Sequence, residues 1–147
     1  MTDDQRSAVE HKLLAALARR EHGYQELLHK YGEVFDAEVL AAVLDEFVEK
    51  GWQSDERYAH SYTRSAVSRG KGELLIRQYL RQQQINNELI DAALAEHDFY
   101  ALVAEVYAKK YPEQSVHDRK EQAKRQRFLV SRGFSFDQIN EVLNHHD

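Results

Sequence analysis

The sequence predicts an all-α protein of three tandem three-helix repeats, set out as an elongated, slightly curved array. Three observations lead there. One proline (Pro112) and six glycines are all that punctuate 147 residues. The abundant Ala, Leu, Glu, Gln, Arg and Lys favour helix. Helix starts of one kind return with a period near 50 residues, which is the mark of a repeat architecture.

The elements follow in order. Val9, Leu13, Ala16 and Leu17 recur at helical spacing and predict a helix over 5–20. Gly23 ends that stretch. A short helix over 24–31 carries Tyr24, Leu27, Leu28 and Tyr31, with Gly32 as its stop. Asp36 caps a third helix running to about Lys50, and Gly51 ends it. Ser54 or Asp55 then caps a helix over 55–68, with Tyr58, Tyr62 and Ala66 inward. The turn Gly70-Lys71-Gly72 leads to a helix over 73–83 with Leu75, Ile76, Tyr79 and Leu80 as core. Asn86 caps a helix to about Glu96. From Asp98, Phe99, Leu102, Val103, Val106 and Tyr107 form one stripe that ends before Pro112. Ser115 and Asp118 have capping-box spacing for a helix over about 116–132. Ser135 and Gln138 form another box, followed by Phe136, Ile139, Val142 and Leu143.

The period can be checked residue by residue. Phe35–Asp36–Leu40, Ile85–Asn86–Ile90 and Phe134–Ser135–Ile139 each place an apolar residue before a cap and another five positions on. That is hydrophobic-staple spacing. The offsets of 50 and 49 residues define repeats over 5–51, 54–96 and 98–146. Each unit is small for a core of its own, so neighbours are expected to share buried surface.

A hydrophobic content of 42% suffices for a core and argues against global disorder. The absence of cysteine excludes disulfides and thiolate metal sites and suits a reducing compartment. The start Met-Thr-Asp-Asp-Gln-Arg has no apolar segment, and no stretch approaches the ~18 apolar residues of a membrane span. A cytoplasmic protein is expected. The net charge of −5 argues against a general nucleic-acid binder, but the charge is uneven. Residues 1–56 hold six Lys/Arg against 13 Asp/Glu, while windows 57–81 and 109–132 each net +5. An acidic head with basic middle and tail sections points to an oriented, polar partner surface or to solvated helix faces.

Catalytic signatures are missing. Gly70-Lys71-Gly72 has neither Walker spacing nor a following Ser/Thr. No G-x-S-x-G elbow occurs. Eight histidines, including His145-His146, form no H-E-x-x-H pair or four-ligand spacing. Neither catalysis, nor a cofactor, nor a metal is expected. The basic residues remain. Arg69, Lys71, Arg77 and Arg81 gather on a turn and the helix after it, with Arg77 and Arg81 on one face. Gly70 and Gly72 allow unusual backbone angles and close approach. Such a surface suits carboxylates of a protein partner or phosphates of DNA; alternatively the arginines pair locally with Glu73, Glu88 or the acidic head. Tyr58, Tyr62 and Tyr79 resemble a base-stacking platform, but their helical spacing favours packing. Trp52 is expected to wedge between the first and second units. A helix-turn-helix reading of 73–95 fails on charge, because its second helix carries Glu88, Asp91 and Glu96 without a cation.

One set of motifs runs through the chain: Gly51-Trp52, Ser54-Asp55-x-Arg57-Tyr58, Arg69-Gly70-x-Gly72, Ile76-Arg77-x-x-Leu80, Ile85, and the tail Lys124-x-x-Arg127-Phe128-Leu129-x-x-Arg132-Gly133-Phe134 with Ile139. Together these residues resemble the RecX family of bacterial recombination regulators. The likeness runs over about 8–145. Family members usually carry an aliphatic residue and an acid where Gln53 and Ser54 stand, and a glycine where Gln84 stands. The resemblance implies a tandem three-helix-repeat protein; free of its partner, the chain is expected to be a monomer. It implies binding in the groove of the RecA–DNA filament, with inhibition of ATPase, strand-exchange and coprotease activities. On that reading Arg64, Arg69, Lys71, Arg77 and Arg81 in the middle unit, and Lys120, Lys124 and Arg127 in the third, are the candidate contacts. The alternative is a helical-repeat protein that binds DNA directly, without RecA.

Overall fold

The computed structural model describes residues 1–144, and those residues form nine helices and no strand. They are α1 (Asp3–Arg19), α2 (Tyr24–Tyr31), α3 (Ala37–Glu49), α4 (Asp55–Ser68), α5 (Glu73–Gln82), α6 (Asn87–Ala95), α7 (Phe99–Lys110), α8 (Arg119–Ser131) and α9 (Phe136–Asn144). In each set of three the first helix lies against the third: α1 on α3, α4 on α6, α7 on α9. The third helices also begin alike. Asp36 accepts from the Glu38 and Val39 amides, Asn86 from Leu89, and Ser135 from Gln138, whose side chain accepts in return from the Ser135 amide.

Helix ends repeat as faithfully. After α3, α4, α5 and α8 the chain closes with the same pair of bonds, as in Ile85 N to Leu80 O (3.0 Å) and Gln84 N to Arg81 O (2.9 Å). This Schellman closure needs a left-handed residue. Gly51, Gly70 and Gly133 supply it, and at the fourth place Gln84 does so with φ 59°. Gln84 itself thus takes the left-handed conformation that the other three closures give to glycine. Two sequence expectations change. Gly32 has φ −64° and is right-handed, so it is no left-handed stop. The helix expected from about 116 starts at Arg119, capped by Asp118 alone.

Two cores divide the chain. Val9, Leu13, Leu27, Leu40, Leu44 and Phe47 belong to one, enclosed by α1–α3. A second runs without a break from Tyr58 through Ile76, Ile90 and Val103 to Leu129 and Ile139. The middle and last units therefore share buried apolar surface, as expected for small repeats. The accessible surface is 9086 Å² for 17.2 kDa, above the ~7,800 Å² of a compact chain of this mass. The molecule is elongated.

The first unit meets the second through polar contacts. The Tyr24 amide donates to Asp55 (2.9 Å), Gln53 Nε2 to the His22 carbonyl (3.1 Å), and Arg57 pairs with Glu21 (2.7 Å). Buried Gln53 is thereby satisfied. Trp52 does not wedge between the units. It is 46% exposed, edge-on to Phe47 of its own unit at 5.1 Å and covered by the Lys50 ammonium.

Candidate functional site

The Gly70–Gly72 turn joins the second and third units. Gly72 N donates to Arg132 O (2.7 Å) and Leu74 N to Gly133 O (3.0 Å). Arg132 Nη2 donates to the Arg69 carbonyl (2.5 Å), and Gln138 Nε2 to Glu73 (2.7 Å). Backbones approach so closely that a Cβ on Gly72 would lie 2.4 Å from the Gly133 carbonyl carbon and oxygen. The close approach foreseen for these glycines is real, but the surface approached is the third unit. Lys71, between them, is half-buried.

The tyrosines pack inward, as their spacing indicates. Tyr62 stacks on Tyr79 at 4.2 Å, and the Tyr58 hydroxyl donates to that of Tyr79 at 3.2 Å. Burial pushes the Tyr58 hydroxyl well above its ordinary pKa and raises that of Tyr62, so both stay neutral.

The eight candidate cations divide by environment. Arg77 donates to Asp91 at 2.8 Å, so it does pair locally, though not with Glu73 or Glu88. Arg81 reaches the Asn87 amide oxygen at 3.3 Å, and Arg69 reaches the Ser65 hydroxyl one turn back. Arg64, Lys120, Lys124 and Arg127 are exposed. On α8, Lys120, Lys124, Arg127 and Ser131 follow at i, i+4, i+7 and i+11, one stripe of the helix. Among the described residues, only Arg77 of the eight has an ion pair.

Arg125 leaves the basic surface to which its charge assigns it. It is 8% exposed and stacks on Tyr111 at 4.4 Å. It donates to Tyr107 Oη, to the Glu113 and Gln114 carbonyls and to Glu121, at 2.9–3.1 Å. That fan of donors holds the segment between α7 and α8.

A cleft of about 680 Å³ opens between the C-terminal end of α4, α7 and α8. Val67, Leu102, Val106 and Phe128 give it apolar walls, and Arg69, Lys109, Lys110 and Arg132 outnumber its one acid, Glu105. Of the candidates only Arg69 borders it. Sequence reasoning counted Lys109, Lys110 and Arg132 as charge without selecting them. The available signal was Lys109 and Lys110 standing one turn beyond Val106 on the same helix.

The described residues hold no group of three or more His, Asp or Glu side chains placed to bind a metal. None of their helices is long and apolar enough to cross a membrane. Fold and surface together define a helical-repeat protein with exposed cations on its second and third units and an open cleft between α4, α7 and α8. Family models for the second and third three-helix domains of RecX match residues 54–94 and 96–143. Regulatory protein RecX of Vibrio campbellii is 37% identical over 134 residues, covering 89% of this chain and 86% of that one. That of Pseudomonas entomophila is 35% identical over 143 residues, covering 95% and 92%. A crystal structure of regulatory protein RecX superposes with TM-score 0.77 at 26% identity, over 96% of this chain and 72% of that chain. RecX from Lactobacillus salivarius shares the fold, with TM-score 0.78 at 21% identity over 96% of both chains. The chain belongs to the RecX family of regulatory proteins.

Proposed function

We propose that this protein binds the RecA–DNA filament in the bacterial cytoplasm and lowers its ATPase, strand-exchange and coprotease activities. It acts by occupancy, as a free monomer that docks, and not by catalysis. The observation that carries the reading is the set of exposed cations without ion pairs among the described residues (Arg64, Arg69, Arg81, Lys120, Lys124, Arg127) on a chain of net charge −5. An overall acidic molecule is repelled by naked DNA, whereas a local cationic face still finds a filament that presents protein and phosphate together. Family membership and the elongated shape agree with it.

The test is the single-stranded-DNA-dependent ATPase of the cognate RecA, measured with rising amounts of this protein. A falling rate is expected, with weak binding to DNA alone. An unchanged rate and no binding to the filament overturn the proposal. Tight, strongly salt-dependent binding to naked DNA would favour direct DNA binding instead. Charge reversal at Arg81, Lys124 and Arg127 together should weaken inhibition; unchanged inhibition removes the site assignment and leaves the function standing.

A further inference from the structure

We infer that the cleft between α4, α7 and α8 is a docking groove for a short acidic segment of a protein partner, anchored by one apolar side chain. The inference rests on the filament reading and assigns the groove to the filament's protein, not to its DNA.

Three features of the groove select that occupant. Its volume of about 680 Å³ lies within the ~300–1,000 Å³ usual for ligand pockets, room for a few residues. Its charge is one-sided, with Arg69, Lys109, Lys110 and Arg132 against Glu105. Its walls are nevertheless apolar, with Val106 and Phe128 between the cations. Phosphates alone would use the cations and leave those walls wet. A base would need an open aromatic face, but Lys110 Nζ lies over the Phe128 ring at 5.4 Å and Tyr111 meets it edge-on at 5.9 Å. An acidic segment with a Leu or Phe satisfies both parts of the lining.

Arg132 contributes a fixed charge. Its guanidinium borders the groove and is held by one bond to the Arg69 carbonyl, while its Nε is buried out of a docking segment's reach. A cation held in place in this way attracts a carboxylate at little cost in side-chain ordering. Gly70 permits the arrangement, because a Cβ there would meet Arg132 Nη2 at 2.9 Å and Val106 at 3.2 Å.

The experiment titrates an acidic hexapeptide, four carboxylates around a Phe-Leu pair, into isotope-labelled protein and follows amide resonances. Shifts at Val67, Val106 and Phe128 are expected. Affinity should fall about tenfold or more in K109E/K110E, where two exposed cations become acids. It should fall comparably when Ser-Gly replaces the peptide's Phe-Leu. A second variant, V106Q, tests the wall without changing charge and should weaken the peptide several-fold. No cleft shifts at millimolar peptide, equal binding of the Ser-Gly peptide, or equal occupancy by a short oligo-dT each overturn the inference. The titration contains no RecA, so its failure leaves filament binding untouched. In parallel, K109E/K110E should lose binding to the RecA filament. Wild-type binding with no loss in K109E/K110E overturns the groove's role, and no binding by the wild type overturns the filament reading.

Discussion

Gly72→Ala separates a structural from a functional role for the glycine turn. The added methyl would sit 2.4 Å from Gly133 C and O and 2.7 Å from Phe134 N. All three are backbone atoms that cannot rotate aside. Restoring van der Waals contact needs a separation of roughly 1 Å. That shift stretches the bonds Gly72 N to Arg132 O (2.7 Å) and Leu74 N to Gly133 O (3.0 Å) to or past their limit. Two net hydrogen bonds are worth about 1 kcal/mol each, and burial of the orphaned Gly72 amide adds about 1–2 kcal/mol. The expected loss is therefore about 3–4 kcal/mol, read from urea unfolding. The transition should also broaden or split as the second and third units uncouple. A G72A protein within about 0.5 kcal/mol of wild type would refute the joint. If it also failed to bind the filament, the glycine would be reserved for the partner.

Gln84→Gly should stabilise by about 0.5–1 kcal/mol, because a left-handed non-glycine costs roughly 1–2 kcal/mol and glycine returns part of that as chain entropy; a Tm equal to or below wild type refutes it. Arg125→Met should cost about 2–3 kcal/mol through lost charged hydrogen bonds and make the 111–118 segment sensitive to protease. Unaltered cleavage there would show that the segment holds itself. Acidification should weaken the first unit. Burial holds the His22 imidazole below its ordinary pKa, so its ring stays neutral and Nδ1 donates to the Arg20 carbonyl at 3.0 Å. The unfolded chain takes up that proton near pH 6.5 while the folded one does not, so stability is full above that value and falls as pH drops below it. His22→Gln should flatten the fall in Tm between pH 7 and 5.5; an identical fall in both proteins removes His22 as its source.

Much of the fold is legible because caps and staples are local chemistry. Asp36, Asn86 and Ser135 signal helix starts by their own side chains, and Phe35, Ile85 and Phe134 by position. What stays hidden depends on the third dimension. Nothing in Ser115 reveals that Asp118 does the capping. Nothing in the 109–132 window marks Arg125 as the cation that tyrosines and carbonyls draw inward. Gly70 and Gly72 announce close approach but not the surface approached, which lies about sixty residues on at Arg132 and Gly133. The candidate site was legible as charge and illegible as a cleft. Its cations come from the end of α4 in the second unit and from α7 and α8 in the third, which the sequence sets apart.

The two joints differ in chemistry, and the difference bears on function. The second and third units share one apolar core and a backbone-to-backbone seam, so they should move as one body. The first keeps its own core and is held by a few polar contacts around Asp55, Gln53 and Arg57. Its contacts with the second unit include buried Gln53 and the Tyr58 ring against Gly23, but no shared apolar core, and an exposed pair such as Arg57–Glu21 adds little. The basic candidates and the cleft all lie on the rigid pair, while the acidic surplus lies on the unit with its own core. Arg6 and Arg20 are already engaged there with Glu10, Glu46 and Glu26, so the head keeps its negative charge. A filament that binds the rigid pair would repel the head from its phosphates and turn it toward protein. Neutralising Glu33, Glu38 and Glu49, which are exposed and form no salt bridge among the described residues, should then strengthen binding to naked DNA more than binding to the filament. Equal gains on both would mean that the head only balances charge.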